Sequence, residues 1–177
     1  FRDEFLNRAS LKDRTYVLEI ASNDGTFLKP FKEKGYKVLG IDPAENIAEM
    51  ARGEGVPTEC VFWGNDAAQN LSKKQGKATL VFARNVLPHV ANTRDFVKGL
   101  HAILHDNGTL AIEVHYAKII LEELHYDSIY HEHLCYFTLK SLERLLNDHG
   151  LFVFDIMKSP ISGGSIVVYA KKQKISE

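Results

Sequence analysis

The run Val17-Leu18-Glu19-Ile20-Ala21-Ser22-Asn23-Asp24-Gly25-Thr26-Phe27-Leu28, answered downstream by Gly40-Ile41-Asp42-Pro43, constrains this chain most. An apolar, β-rich stretch breaks into a turn of small and polar residues. A helical stretch follows, then a second apolar run that ends in an acid. This is the layout of a nucleoside-binding βαβ unit, in which the acid closing the second strand accepts hydrogen bonds from ribose hydroxyls. Asp42 stands 17 residues beyond Gly25, near the ~20 that this role asks for.

The turn is poor in glycine. Ala21 and Asn23 stand where a dinucleotide-binding G-x-G-x-x-G would have glycines, and only Gly25 remains. Asn tolerates a left-handed backbone, so a tight turn can still form. Bare backbone matters most where a pyrophosphate must come close. The pattern therefore argues against NAD and for a nucleoside ligand without a diphosphate, S-adenosylmethionine (SAM) first among them. An ordinary strand-turn-helix with no ligand is the competing reading.

The 177 residues make one domain, spanning 1–177, enough to bury a single good core. A net charge of −1 gives no electrostatic case for nucleic acid or an anionic membrane as partner. No apolar run approaches the length of a membrane span, and no signal peptide is visible. Cys60 and Cys135 lie far apart, which allows one disulfide but no CxxC metal or redox site. A reduced, cytoplasmic setting is expected. The chain opens on Phe1 rather than Met, so it is expected to be a segment of a longer protein.

Strand-like and helix-like stretches alternate along the chain. Helices are expected over 1–9, 26–34 (closed by Gly35), 44–52 (ending at Gly53), 67–74, 93–104, 117–124 and 138–149 (ended by Gly150). Strands are expected over 16–21, 37–41, 58–62, 78–83 and 109–114, the last preceded by an Asp106-Asn107-Gly108 turn. Asn92 and Asp95 read as a shortened capping box, and Thr138 as an N-cap. Two further β-rich runs, 151–158 and 165–171, flank Pro160 and Gly163-Gly164 and should pair as a hairpin. The alternation predicts an α/β Rossmann-like sheet with helices on both faces and a C-terminal antiparallel hairpin, the layout of class I SAM-dependent methyltransferases.

A second constellation is Ser128-Ile129-Tyr130-His131-Glu132-His133-Leu134-Cys135-Tyr136-Phe137, between two helices. If it is extended, His131 and His133 share a face and Glu132 points the other way. Three readings stand. It is catalytic, with a His accepting a proton at neutral pH and the nearby Glu and Tyr orienting it. It is a zinc site, although a third ligand is needed and the H-E-x-x-H spacing is absent. Or it is a hydrogen-bonded structural loop.

Other candidates surround these two. His89 follows the fourth strand, where methyltransferases of this layout meet the transferred methyl group; a helix-capping imidazole is the plain alternative. His115 and Tyr116 end the fifth strand at the same edge and could line a polar pocket. The pair Phe62-Trp63, with Gly64, ends the third strand, where an aromatic can stack on adenine; buried packing explains Phe62 equally well.

Five segments of the chain resemble nucleotide-sugar C-methyltransferases. They are 18–28, Gly40-Ile41-Asp42-Pro43-Ala44, Ala83-Arg84-Asn85-Val86-Leu87-Pro88-His89, Ile129-Tyr130-His131-Glu132-His133 and Ile161-Ser162-Gly163-Gly164-Ser165. The resemblance implies SAM-dependent methylation at C3 of a 4-keto deoxyhexose carried on dTDP or a related nucleotide, without a metal. It implies SAM contacts from Glu19, Ala21, Ser22, Asn23, Gly25, Asp42, Pro43, Trp63, Gly64 and Asn85. It makes His133 the proton-abstracting base, with Glu132 and Tyr130 orienting the sugar or the base and His89 facing the developing oxyanion. His115, Tyr116 and His131 are then expected on the substrate. Members of that family also carry an amino-terminal zinc-binding domain and a carboxyl-terminal α/β domain. Those flanking domains are expected to contact the sugar nucleotide and are missing from 1–177. An O- or N-methyltransferase for a small metabolite, and a SAM-binding domain inactive without its neighbours, are the alternatives.

Overall fold

In a computed structural model that describes residues 15–174, seven strands form one sheet in the order β3-β2-β1-β4-β5-β7-β6. They are β1 (Tyr16–Ile20), β2 (Lys37–Asp42), β3 (Thr58–Cys60), β4 (Ala78–Arg84), β5 (Leu104–His115), β6 (Phe152–Ser159) and β7 (Ser165–Lys171). The first five run parallel, and β7 inserts antiparallel between β5 and β6. The expected hairpin is present, and its second strand is interior while its first forms the edge.

The helices are α1 (Lys29–Glu33), α2 (Glu45–Gly53), α3 (Asn65–Gln75), α4 (Thr93–Ile103), α5 (Ala117–Glu122) and α6 (Leu139–Asn147). One face of the sheet packs Leu18, Ile20, Val81 and Ile112 against Leu71 of α3, Phe96 and Leu100 of α4, and Leu142 and Leu146 of α6. The other packs Val17, Leu80, Phe82 and Tyr169 with Phe31 of α1 and Ala51 of α2. All five residues of β1 are buried, as a central strand covered on both faces requires.

Several local expectations change. The helix expected over 26–34 begins only at Lys29, because residues 24–28 form turns and Pro30 sits in the first helical turn. The expected turn at 106–108 is absorbed into β5 as a bulge: Ala78 pairs with Leu104, but Leu80 pairs with Thr109. Asn92 caps α4 by accepting from the Asp95 N–H, but the Asp95 carboxylate accepts from Asn65 instead of closing the box. Thr138 forms a full capping box with Ser141. Cys60 and Cys135 are both free. The helix expected over 1–9 lies outside the described residues. Among the described residues no helix is long and apolar enough to cross a membrane.

The strand order reverses between β1 and β4, so the loops leaving their carboxyl ends diverge. A crevice opens at such a switch point, and open α/β sheets bind ligands there.

Candidate active site

The loop after β1 is built on left-handed residues. Ala21 and Asn23 have φ of 56° and 52°, and Gly25 has 78°. A Cβ at Gly25 would come within 2.9 Å of Val56, so glycine is required there by both space and conformation. The loop is tied to β2 by Ser22 N–H on the Ile41 carbonyl and by Asn23 N–H on Asp42 Oδ2 at 3.0 Å. The other Asp42 oxygen accepts the Ala44 N–H at 3.0 Å. Asp42 is thus fixed at the crevice with one bond to each oxygen, leaving acceptor capacity on both.

Beside it lies an apolar cleft of about 470 Å³ whose lining includes Ala21, Ile41, Pro43, Trp63, Val86 and His89. Trp63 donates its Nε1–H to the Phe96 carbonyl at 3.2 Å, which holds the ring in the cleft wall. Phe62, for which buried packing was an option, is 80% exposed at the cleft mouth. An apolar slot with a fixed carboxylate at its edge suits a nucleoside; the Ser22 hydroxyl, buried without a partner, packs over Gly40 instead of lining the slot. Two further expected contacts fall elsewhere. Glu19 projects to the opposite face from Ile20, where its Oε1 accepts from Arg84 Nε and Nη2 at 3.2 and 3.1 Å, beneath Phe27. Burial pushes its carboxyl up to about 8, with Arg84 pulling the other way. Gly64 is small because α3 starts against α4: a side chain there would run into Asp95.

The second cavity, about 320 Å³, is polar and is lined by Asn85, His89, His115, Asp127, Tyr130 and His133, with Pro88 and Ser128. Asn85 follows β4 with φ of 51°, its N–H on the Glu113 carbonyl. His133 Nδ1 lies 2.8 Å from the Ser128 carbonyl and its Nε2 lies 3.0 Å from the Tyr130 hydroxyl. A carbonyl only accepts, so the proton is on Nδ1 and Nε2 carries the lone pair. His89 Nδ1 in turn bonds the Glu132 carbonyl at 2.9 Å, and the His89 and His133 rings are 4.9 Å apart. The Pro88 carbonyl accepts from both Leu134 and Cys135 N–H, fastening the loop after β4 to the segment that carries His133.

That segment is not extended. His133 N–H bonds the Tyr130 carbonyl, closing a turn. The turn separates the two histidines: the His131 side chain is 92% exposed, outside the cavity, and its charged neighbour at 4.0 Å is Glu132. Glu132 acts through its carbonyl rather than its exposed carboxylate. His115 is buried in the cavity wall with Nε2 unpartnered. Burial, followed by the neighbouring His125 and His133, holds its pKa below the usual imidazole range. Tyr116 lies just outside the lining, at the start of α5, where its N–H bonds the Gly164 carbonyl. Sequence reasoning missed Asp127 and the role of Ser128; only the fold brings the turn Tyr126–Ser128 opposite His115.

Comparison with known proteins identifies the family. The chain is 36% identical over 168 residues to the C-methyltransferase NovU of Streptomyces niveus, covering 95% of this chain and 40% of that protein. It therefore spans about 40% of the length of that relative. A SAM-dependent methyltransferase from Anabaena variabilis superposes with a TM-score of 0.75 at 13% identity, over 97% of this chain and 84% of that one. Magnesium protoporphyrin IX methyltransferase from Synechocystis, solved with bound SAH, superposes with a TM-score of 0.70 at 15% identity, over 89% and 74%. The family model described as methyltransferase domain matches residues 2–155. The chain thus belongs to the methyltransferase domain family, with the class I fold of SAM-dependent methyltransferases.

Proposed function

We propose that this chain methylates a carbon beside a ketone, at C3 of a nucleotide-linked 4-keto deoxy sugar. His89 carries the reading: it lines both the apolar cleft and the polar cavity, so a methyl donor in the first and an acceptor in the second meet at one imidazole. The likeness to a C-methyltransferase supports carbon as the acceptor atom.

Ala21, Asn23, Gly25, Asp42, Pro43, Trp63 and Asn85 would hold SAM, with Asp42 on the ribose. SAM supplies an electrophilic methyl group. His133 Nε2 is the base, its lone pair made available by the Ser128 carbonyl on Nδ1. Nε2 takes the C3 proton, and the electron pair of that C–H bond passes into the enolate. The Tyr130 hydroxyl, which occupies Nε2 in the free protein, is displaced toward the ketone oxygen, where it and His89 face the developing charge. The enolate carbon would be the nucleophile toward the methyl group that SAM supplies, with S-adenosylhomocysteine as the leaving group.

The test is His133→Asn in the full-length protein. A positioned general base contributes typically ~10²–10⁴-fold, so kcat should fall by that order while the affinity for S-adenosylhomocysteine stays parental. In deuterated water, with S-adenosylhomocysteine in place of SAM, the parent should exchange the C3 proton of a dTDP-linked 4-keto deoxyhexose and the variant should not. Near-parental methylation by the variant would remove His133 from the role.

A further inference from the structure

The polar cavity has two walls, and only one is hydrogen-bonded within the protein. On the first, Tyr130, His133 and His89 are chained together through the Ser128 and Glu132 carbonyls. On the second stand Asp127 and His115. Asp127 is the one carboxylate lining the cavity, and it makes no hydrogen bond or ion pair among the described residues. His115 lines the same cavity, is 8% exposed and has no partner for Nε2.

Asp127 is exposed, yet its backbone is fixed. Its 3-10 turn is closed by Ser128 N–H on the His125 carbonyl and Ile129 N–H on the Tyr126 carbonyl, at 3.1 and 3.0 Å. The Ser128 carbonyl next to it is held by both His133 Nδ1 and the Tyr136 hydroxyl. The backbone that carries the carboxylate is therefore held beside the base. A buried polar atom without a partner is costly, and a carboxylate, which only accepts, is completed by a group that donates. A hydroxyl or an amine does so; a phosphate would be repelled.

We propose that Asp127 and His115 read a hydrogen-bond-donating substituent, hydroxyl or amino, on the sugar ring at or beside the reacting carbon, and so fix which C–H is turned to His133. This rests on the sugar reading above and adds to it the substituent the acceptor must carry. It also places the nucleotide diphosphate away from the Asp127 wall.

The test uses the full-length protein, SAM and four dTDP-linked 4-keto-6-deoxyhexoses: the fully hydroxylated sugar and its 2-deoxy, 3-deoxy and 3-amino analogues. Losing one hydrogen bond to a charged group weakens transition-state binding about ten- to a hundredfold. Asp127→Ala should lower kcat/KM by that factor for the acceptor that the parent prefers. It should have no effect on the deoxy analogue that lacks the group being read. Asp127→Asn, which keeps an acceptor oxygen and loses the charge, should recover the hydroxylated sugar and not the 3-amino one. In both variants the affinity for S-adenosylhomocysteine should be parental. Equal losses on all four acceptors, or no loss on any, would overturn the assignment and leave the sugar reading intact. A parent that binds S-adenosylhomocysteine and methylates none of the four would overturn both.

Discussion

Asp42 shows how one side chain can serve the fold and a ligand together. Its two oxygens each accept one backbone N–H, from the loops after β1 and β2. Ribose hydroxyls would use the capacity that remains. A hydrogen bond to a charged group is worth about 1.5–3 kcal/mol, so Asp42→Ala should weaken binding of S-adenosylhomocysteine by about one to two orders of magnitude by calorimetry. Asp42→Asn should lose less, because an amide oxygen can still take one N–H. Unchanged affinity in the alanine variant would remove Asp42 from the ribose. This residue was legible because a lone acid closing an apolar run is conspicuous. Glu19 was not. In a strand buried on both faces the sequence carries no alternation, so nothing in it tells that Ile20 lines the cleft while Glu19 turns to Arg84.

At the level of elements, β1, β4 and β5 carry a layer of ionisable side chains, two of them buried carboxyls. Glu19 pairs with Arg84, and Glu113, opposite Arg84 in the ladder, is fully buried with both oxygens unpartnered. Burial raises both carboxyls above their ordinary range, Glu19 to about 8. The folded chain then holds protons that the unfolded chain has released, so stability falls as pH rises toward 8. His115 acts with the opposite sign: its depressed pKa favours the fold as pH rises, an effect complete by about 6.5. Between pH 6.5 and 8 the proton on Glu19 alone should lower the unfolding free energy by about 2 kcal/mol. Glu19→Gln should flatten that slope in urea melts, and an equally steep slope in the variant would exclude the assignment. The strands themselves were readable from their apolar runs. The bulge at 105–108 was not, since Asp-Asn-Gly reads as a turn and only pairing with β4 reveals that the strand runs on.

Across the whole molecule, the alternating pattern was enough to specify the layers, because up to the closing hairpin each β-rich run is separated from the next by a helix-forming stretch. The strand order was not readable, since pairing across the sheet leaves no local mark. Nor was the meeting of the two loops that make the site. They come from segments more than forty residues apart and are joined by main-chain bonds: the Pro88 carbonyl accepts from Leu134 at 2.8 Å and Cys135 at 3.2 Å. Those two amides should exchange with deuterium far more slowly than those of His131 and Glu132 in the same segment, although the Leu134 side chain is 54% exposed. Amide exchange followed by NMR would measure it, and equal rates would mean the loops are not joined in solution. The same carbonyl works as a coupling pin. The segment from Leu121 to Tyr136 exposes Leu121, Leu124, Tyr126, Ile129 and Leu134 outward while its backbone is fastened to the loop that carries His89. Whatever presses on that outer surface would be transmitted to the loop that carries His89 and to the turn that carries His133 at once, so the spacing between the apolar cleft and the polar cavity is set as a single mechanical part rather than by two independent loops.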